Sequence, residues 1–325
     1  RALKQWPASL VSFLALLLAL GLQIANPPIL EDLQLKVFDT FQRLQPRAYQ
    51  PAAVRIVDLD DESLTKLGQW PWPRTIVADF VNRLTSSGAA VIAFDVVFAE
   101  PDRTSPAHIL PLWPSMPEIE ALRAKVNELP DHDQLLAGAM ASANVVSGFA
   151  LIHESNPVRP AVKASVAYAG DDPRAYLAGF SGAVVNLPAF EAAASGNGHF
   201  NLLAERDGVV RRVPLVLRLG DTVYPSLVAE SIRVAHGAST YVIKSSGGSG
   251  EASFGAHTGI ASMKIGPFVI PTDAKGRIWL YDTGPVPERS IPAWRVLAPG
   301  FDPTSVAGAV GAAACERAFQ RSRAR

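Results

Sequence analysis

The chain has 325 residues, 48% of them hydrophobic, and its 30 Lys and Arg balance 30 Asp and Glu for a formal net charge of zero. That balance leaves no electrostatic footprint for nucleic acid. The single cysteine, Cys315, excludes an intrachain disulfide, and six scattered histidines without CxxC, Cys2His2 or HExxH spacing argue against a zinc site, so neither a metal nor a cofactor is expected.

In chain order, the first feature is an uncharged run over residues 5–30 with an apolar heart at 8–25 (ASLVSFLALLLALGLQIA). At about 1.5 Å per residue this heart reaches about 27 Å, close to one hydrocarbon core, and reads as a transmembrane helix. Arg1 and Lys4 precede it, whereas Glu31 and Asp32 follow. The positive-inside bias then leaves residues 1–7 in the cytoplasm and exports everything from Asn26 onward. The competing reading is a cleaved signal peptide, whose apolar core is usually shorter, about 7 to 15 residues. An exported domain without disulfides fits a bacterial periplasm, with the chain anchored in the inner membrane.

Pro27 and Pro28 break the first helix, and Leu30, Leu33, Val37, Phe38, Phe41 and Leu44 then recur at helical spacing. Residues 54–59 (VRIVDL) read as a short buried strand. Pro73 opens a helix with Ile76, Val77, Phe80, Val81 and Leu84 on one stripe and Gly88 as its stop. Residues 90–98 (AVIAFDVVF) read as a second strand, 131–143 as a helix and 144–152 as a third strand. This alternation predicts parallel pairing through right-handed crossovers. A proline-rich excursion, with a helical piece around 119–129, fills 100–130.

The second half reads differently. Residues 198–219 suggest two strands around an Arg-Asp-Gly turn, 226–236 a helix ending at Gly237, and 245–255 a glycine-rich loop. Residues 263–281 suggest a hairpin turning near 273–276, with IGPFVI and GRIWLY as its strands. The expected fold class is α/β: a parallel βαβ-based sheet with an antiparallel or mixed α+β extension, preceded by one transmembrane helix.

The densest polar group is Asp58, Asp60, Asp61 and Glu62 at the exit of the first strand, with Asp95 and Glu100 beside it if the first two strands are neighbours. Ligands of open parallel sheets bind at the carboxyl ends of strands. Clustered acids there suggest a magnesium site or an acid/base pair, or else caps for the next segment and partners for Arg74. A DxDxT phosphatase motif fails, because Glu62 stands where the hydroxyl belongs; GxSxG and GxxxxGK[ST] are absent. Trp70 and Trp72 alternate with Pro71 and Pro73, which suits a rigid wall for a ligand or a lid over the core. Arg211, beside Asp207-Gly208, is a ligand candidate or one flank of a solvated hairpin. His199 and Asn201 read as polar groups of a turn and strand, and Trp279 and Trp294 as core.

The run VDLDDESLTKLGQWPWPRTIVADFVNRLTSSGAAVIAFDVVFAEPD resembles the opening of the type-two CHASE domain, the extracellular sensory module of bacterial cyclases and histidine kinases. The resemblance continues through DHDQLLAGAMASANVVSGFAL and GHFNLLAERDGVVRRVPLVLRLGDTVYPSLVAE to IPAWRVL, over residues 30–307. It implies a non-catalytic periplasmic input domain, followed by membrane helices and a cytoplasmic cyclase or kinase. Residues 308–325 (GAVGAAACERAFQRSRAR) depart from that pattern and suggest a truncation or frame change. The expected partners are an unidentified small-molecule or periplasmic ligand, the inner membrane and a second copy of the chain. Two alternatives stay open: a metal-assisted periplasmic hydrolase using Asp58, Asp60 and Asp95, and a partner-binding exodomain that senses nothing.

Overall fold

The computed structural model describes residues 6–25, 27–50, 53–114, 116–126, 128–248 and 259–301. The atypical tail at 308–325, the N-terminal charges Arg1 and Lys4, and much of the glycine-rich loop lie outside the described residues. The chain divides into two compact units, one of residues 1–51 and 281–287 and the other of 52–280 and 288–325.

The smaller unit holds α1 (Trp6–Ala25) and α2 (Pro28–Leu44). Pro28 sits at the first position of α2, where its missing amide hydrogen costs nothing. The described side chains of α1 cover residues 10–21, and its large apolar ones, from Leu10 to Leu20, are exposed. Among the described residues no helix is long and apolar enough to cross a membrane. In α2, Leu35 is buried, and Phe38 meets Tyr281 at a ring separation of 6.0 Å.

The larger unit is a mixed α/β assembly. It opens with β1 (Ile56–Asp58), α3 (Asp61–Leu67), α4 (Arg74–Ser86) and β2 (Ile92–Phe94). The excursion contributes α5 (Pro106–Ile109) and α6 (Pro117–Val126), before α7 (His132–Ala141) and β3 (Val145–Ile152). Then come β4 (Ser165–Ala169), β5 (Gly179–Phe180), β6 (Gly182–Val184), α8 (Pro188–Ala193) and β7 (Gly196–His199). The remainder is β8 (Arg212–Pro214), β9 (Val216–Leu219), β10 (Thr222–Pro225), α9 (Leu227–Ala235), β11 (Thr240–Ser245), β12 (Ile260–Ile265), β13 (Phe268–Pro271), β14 (Arg277–Trp279), β15 (Ser290–Pro292) and α10 (Ala293–Leu297).

Strand β3 is the centre. It pairs in parallel with β2 and β7 and antiparallel with β6, so the expected parallel core exists around it. Buried Val77 and Val81 of α4, Leu136 and Met140 of α7 and Phe190 of α8 pack as one cluster with Val145 of β3. Of the apolar stripe read from α4, Val77 and Val81 face this core, whereas Phe80 and Ile76 pack in a second cluster with Trp72, and Gly88 follows the helix at φ 84°.

Three pairings correct the sequence reading. Strand β1 does not join β2; it pairs in parallel with β15, and Ile56 and Asp58 are exposed rather than buried. Residues 198–219 are no hairpin, because β7 belongs to β3 while β8 pairs with β14. The segment IGPFVI is itself a turn, with Gly266 at φ 53° and Pro267 joining β12 to β13, and β14 leaves for β8. A two-residue loop opening on a positive-φ glycine matches the right-handed twist of its strands. Trp279 is also 38% exposed, not core.

Candidate functional site

The N-termini of α4 and α7 meet at the loop that leaves the carboxyl end of β2. Pro73 precedes α4 and offers it no side-chain cap. The cap comes from elsewhere: the amide of Arg74 donates to Oδ2 of buried Asp102 at 2.7 Å, placing a carboxylate at the positive end of the helix. The amide of Asp102 in turn donates to Oδ2 of Asp133, in the first turn of α7, at 3.0 Å. Asp131 caps α7 by accepting from the amide of Asp133 at 2.7 Å.

The side chains close the cluster. Arg74 Nε lies 3.4 Å from Asp133 Oδ1, its Nη2 donates to the carbonyl of Glu100 at 3.2 Å, and its guanidinium sits 4.4 Å from the Phe98 ring centroid. His132 Nδ1 is 3.2 Å from both Asp102 Oδ2 and Thr104 Oγ1. Burial works to raise the Asp102 pKa, but hydrogen bonds from the Arg74 and Thr104 amides, the Thr104 hydroxyl and His132 outweigh it and hold the carboxyl below its ordinary value. An arginine between two aspartates, beside a partly exposed histidine, can bind a polar ligand or pass a proton. Among the described residues the side-chain hydroxyl bonded to the His132 ring is that of Thr104, and the Ser105 hydroxyl instead accepts from the His132 amide at 3.0 Å.

The residues singled out in the sequence are scattered around this cluster. Asp58 ends β1 and is exposed, Asp60 caps α3 by accepting from the Ser63 amide at 2.8 Å, and Asp61 is the exposed first residue of α3. Bonds from Ser63 lower the Asp60 pKa. Asp95 is exposed after β2, which is not a neighbour of β1, so no strand pairing brings it beside Asp58. Trp72 is buried, stacks on Phe80 at 5.8 Å and donates from its indole to the Gly68 carbonyl at 2.6 Å. Trp70 is half-buried and meets Trp72 edge-on at 5.5 Å. Arg74 pairs not with the aspartates that precede it but with Asp133. Arg211 is buried and grips Asp207 at 2.7 Å, which pulls the Asp207 pKa down to about 2. Among the described residues no group of three or more His, Cys, Asp or Glu could hold a metal ion.

Sequence reasoning passed over Asp102, His132 and Asp133. Their signal was present: they are the acids of the EPD block and the opening of the DHD block, the two segments that start at a strand exit and a helix entry. A second buried polar network was also missed. Glu230 of α9 accepts from Arg233 at 2.8 and 2.9 Å and from the Tyr241 hydroxyl, and the Asn197 side chain donates to Glu191 at 2.9 Å. Burial, then the Glu230 carboxylate, raise the Tyr241 pKa and keep its proton in place.

The blocks IPAWRVL and PWPR also converge. Ala293 and Val296 pack with Trp72 and Phe80, and the Trp294 amide donates to the Ser63 hydroxyl at 3.1 Å across 231 residues of sequence.

The class is therefore a mixed α/β domain, sealed by its own C-terminal segment, with an Arg-Asp-His cluster at the loop that leaves β2. The chain belongs to the CHASE2 domain family, whose sequence model matches residues 11–314, a family of extracellular sensory domains. No curated protein and no solved structure matches the chain.

Proposed function

We propose that the chain is the ligand-sensing input region of a bacterial transmembrane receptor. In this reading residues 8–25 cross the inner membrane, residues 30–307 stand in the periplasm, and the regulated effector is a cytoplasmic adenylate or guanylate cyclase or a histidine kinase. The observation that carries it is the CHASE2 match over nearly the whole chain, beginning inside α1. What supports the anchor is that the large apolar side chains of α1 are exposed wherever they are described.

The ligand site in this reading is the edge formed by Arg74, Asp102, His132 and Asp133. A small polar ligand that competes for His132 or Arg74 would favour one arrangement of the α4 and α7 termini. Its differential affinity sets how far the equilibrium moves. A symmetric pair of chains would carry that shift to the membrane.

Two measurements test the proposal. A reporter fused after Ala307 should be active only outside the cytosol, and alkaline carbonate should leave the chain in the membrane. Fractions of a periplasmic small-molecule extract should raise the melting temperature of the wild-type chain, with the shift reduced in His132→Asn. A reporter active only in the cytosol, or melting that no fraction changes, overturns it.

A further inference from the structure

We propose that α2 carries a self-association surface whose occupant is the same face of α2 in a second copy of the chain. Ile29, Leu33, Val37, Phe41 and Leu44 are all exposed, from 46% at Val37 to 84% at Ile29. At about 100° per residue they fall within an arc of about 120°, and Leu35, the buried residue of α2, lies about 180° from its centre. The helix therefore has an apolar side that its own fold uses and a second, opposite one that is left facing solvent. A row of five large apolar side chains on one exposed helix face marks an interaction surface.

Charge decides between the possible occupants. The polar positions of α2 carry Glu31, Asp32 and Asp39 against Lys36 and Arg43, a net charge of 2 − 3 = −1. Helices that lie on anionic bilayers are rich in Lys and Arg on the polar face, so a lipid surface gains no electrostatic attraction here. A second copy needs none, because its stripe is the same apolar row. The parallel arrangement rests on the membrane reading given above. Two chains held by α1 present α2 in the same direction and at the same height, and confinement to one plane raises their effective concentration. Ridges of one stripe then interdigitate with grooves of the other at a crossing angle of about 20°.

Site-directed disulfide formation tests this in membranes containing the full chain. In a Cys315→Ser background, Leu33→Cys, Val37→Cys and Phe41→Cys are compared with Asp32→Cys and Arg43→Cys, which are exposed but off the stripe. Copper-phenanthroline oxidation should give cross-linked dimer several-fold more readily at the three stripe positions. Equal or reversed cross-linking overturns the inference. So does quenching of a fluorophore on the stripe cysteines by brominated lipid without any dimer, since the bilayer surface would then be the occupant. Carbonate extraction of the same membranes separates the two proposals: a retained chain without stripe cross-links sinks only the α2 surface, whereas a released chain that still cross-links sinks only the anchor.

Discussion

Asp102 Oδ2 accepts from the Arg74 amide at 2.7 Å and lies 3.2 Å from His132 Nδ1, so one carboxylate oxygen ties the start of α4 to the start of α7. Removing the whole carboxylate leaves the Arg74 amide without its Oδ2 acceptor and the Thr104 amide and hydroxyl without their Oδ1 acceptor, and weakens the setting of His132. Asp102→Ala should cost about 3 kcal/mol, in the range for breaking a buried charged network. Chemical denaturation measures it, and a loss below about 1 kcal/mol would show that water replaces the carboxylate.

The pH dependence turns on His199. Its ring is 1% exposed, and neither nitrogen has a hydrogen-bond partner among the described residues. Burial lowers its pKa from 6.5 to about 3. Because the unfolded chain takes up this proton near pH 6.5 and the folded chain only near pH 3, the folded state loses stability as pH falls between those values and keeps it in full above them. At pH 5 the loss from this group should be about 2 kcal/mol relative to pH 7. Urea midpoints of wild type and His199→Phe at the two pH values decide the matter: an unchanged pH slope in the variant removes His199 as the cause.

Glycine matters at position 198 for a steric reason. A Cβ there would stand 2.5 Å from Leu227 Cα and 2.6 Å from its amide nitrogen, where α9 starts against β7. Neither backbone can yield cheaply, so Gly198→Ala should cost about 2 to 3 kcal/mol. Gly138, on the exposed side of α7, has open space around the same atom. Gly138→Ala should stabilise by about 0.5 to 1 kcal/mol through the unfolded chain. Equal effects of the two substitutions would contradict the packing described here.

The tryptophans separate core from surface. Trp72→Ala should cost about 3 to 5 kcal/mol, as removal of a buried aromatic does. Trp279 is exposed with Arg212 5.1 Å from its ring centroid, and Trp279→Ala should cost only about 0.5 to 1 kcal/mol. Melting temperatures rank the two; a reversed order would mean that β14 is more deeply packed than its exposure indicates.

For the acids near β1, capping gives a definite expectation. Asp60→Ala should cost about 1 kcal/mol through loss of the α3 cap, and exposed Asp58→Ala less than about 0.5 kcal/mol. Millimolar magnesium or calcium should leave the fluorescence of Trp70 and Trp72 unchanged in the wild type. A saturable change that disappears in Asp58→Ala would instead restore a metal site.

The longer helices were legible because their signals are local. The helix starts at Asp131 and Ser226, which the structure shows to be caps, the stripe from Ile76 to Leu84, and Gly88 and Gly237 as stops all act within a few turns of the chain. The strand β3 and its parallel partner β2 were legible for a similar reason, since an apolar run between two amphipathic helices has few other places to go. The family blocks were visible too, but not what they build.

Strand partnership belonged to the tertiary structure. Nothing within VRIVDL indicates that β1 will pair with Ser290–Pro292, more than 200 residues away, or that Asp102 will cap a helix 28 residues before it. Such contacts form only when distant segments are packed together, and their free energy comes from burial and hydrogen bonds that no short window of sequence contains. Composition and periodicity thus determined the apolar N-terminal helix, the longer helices and the α/β class, but not the short helices α3, α5, α8 and α10. Packing alone decided which acids meet Arg74, because Asp133 arrives on α7 while the nearer Asp60 is already committed to its own helix.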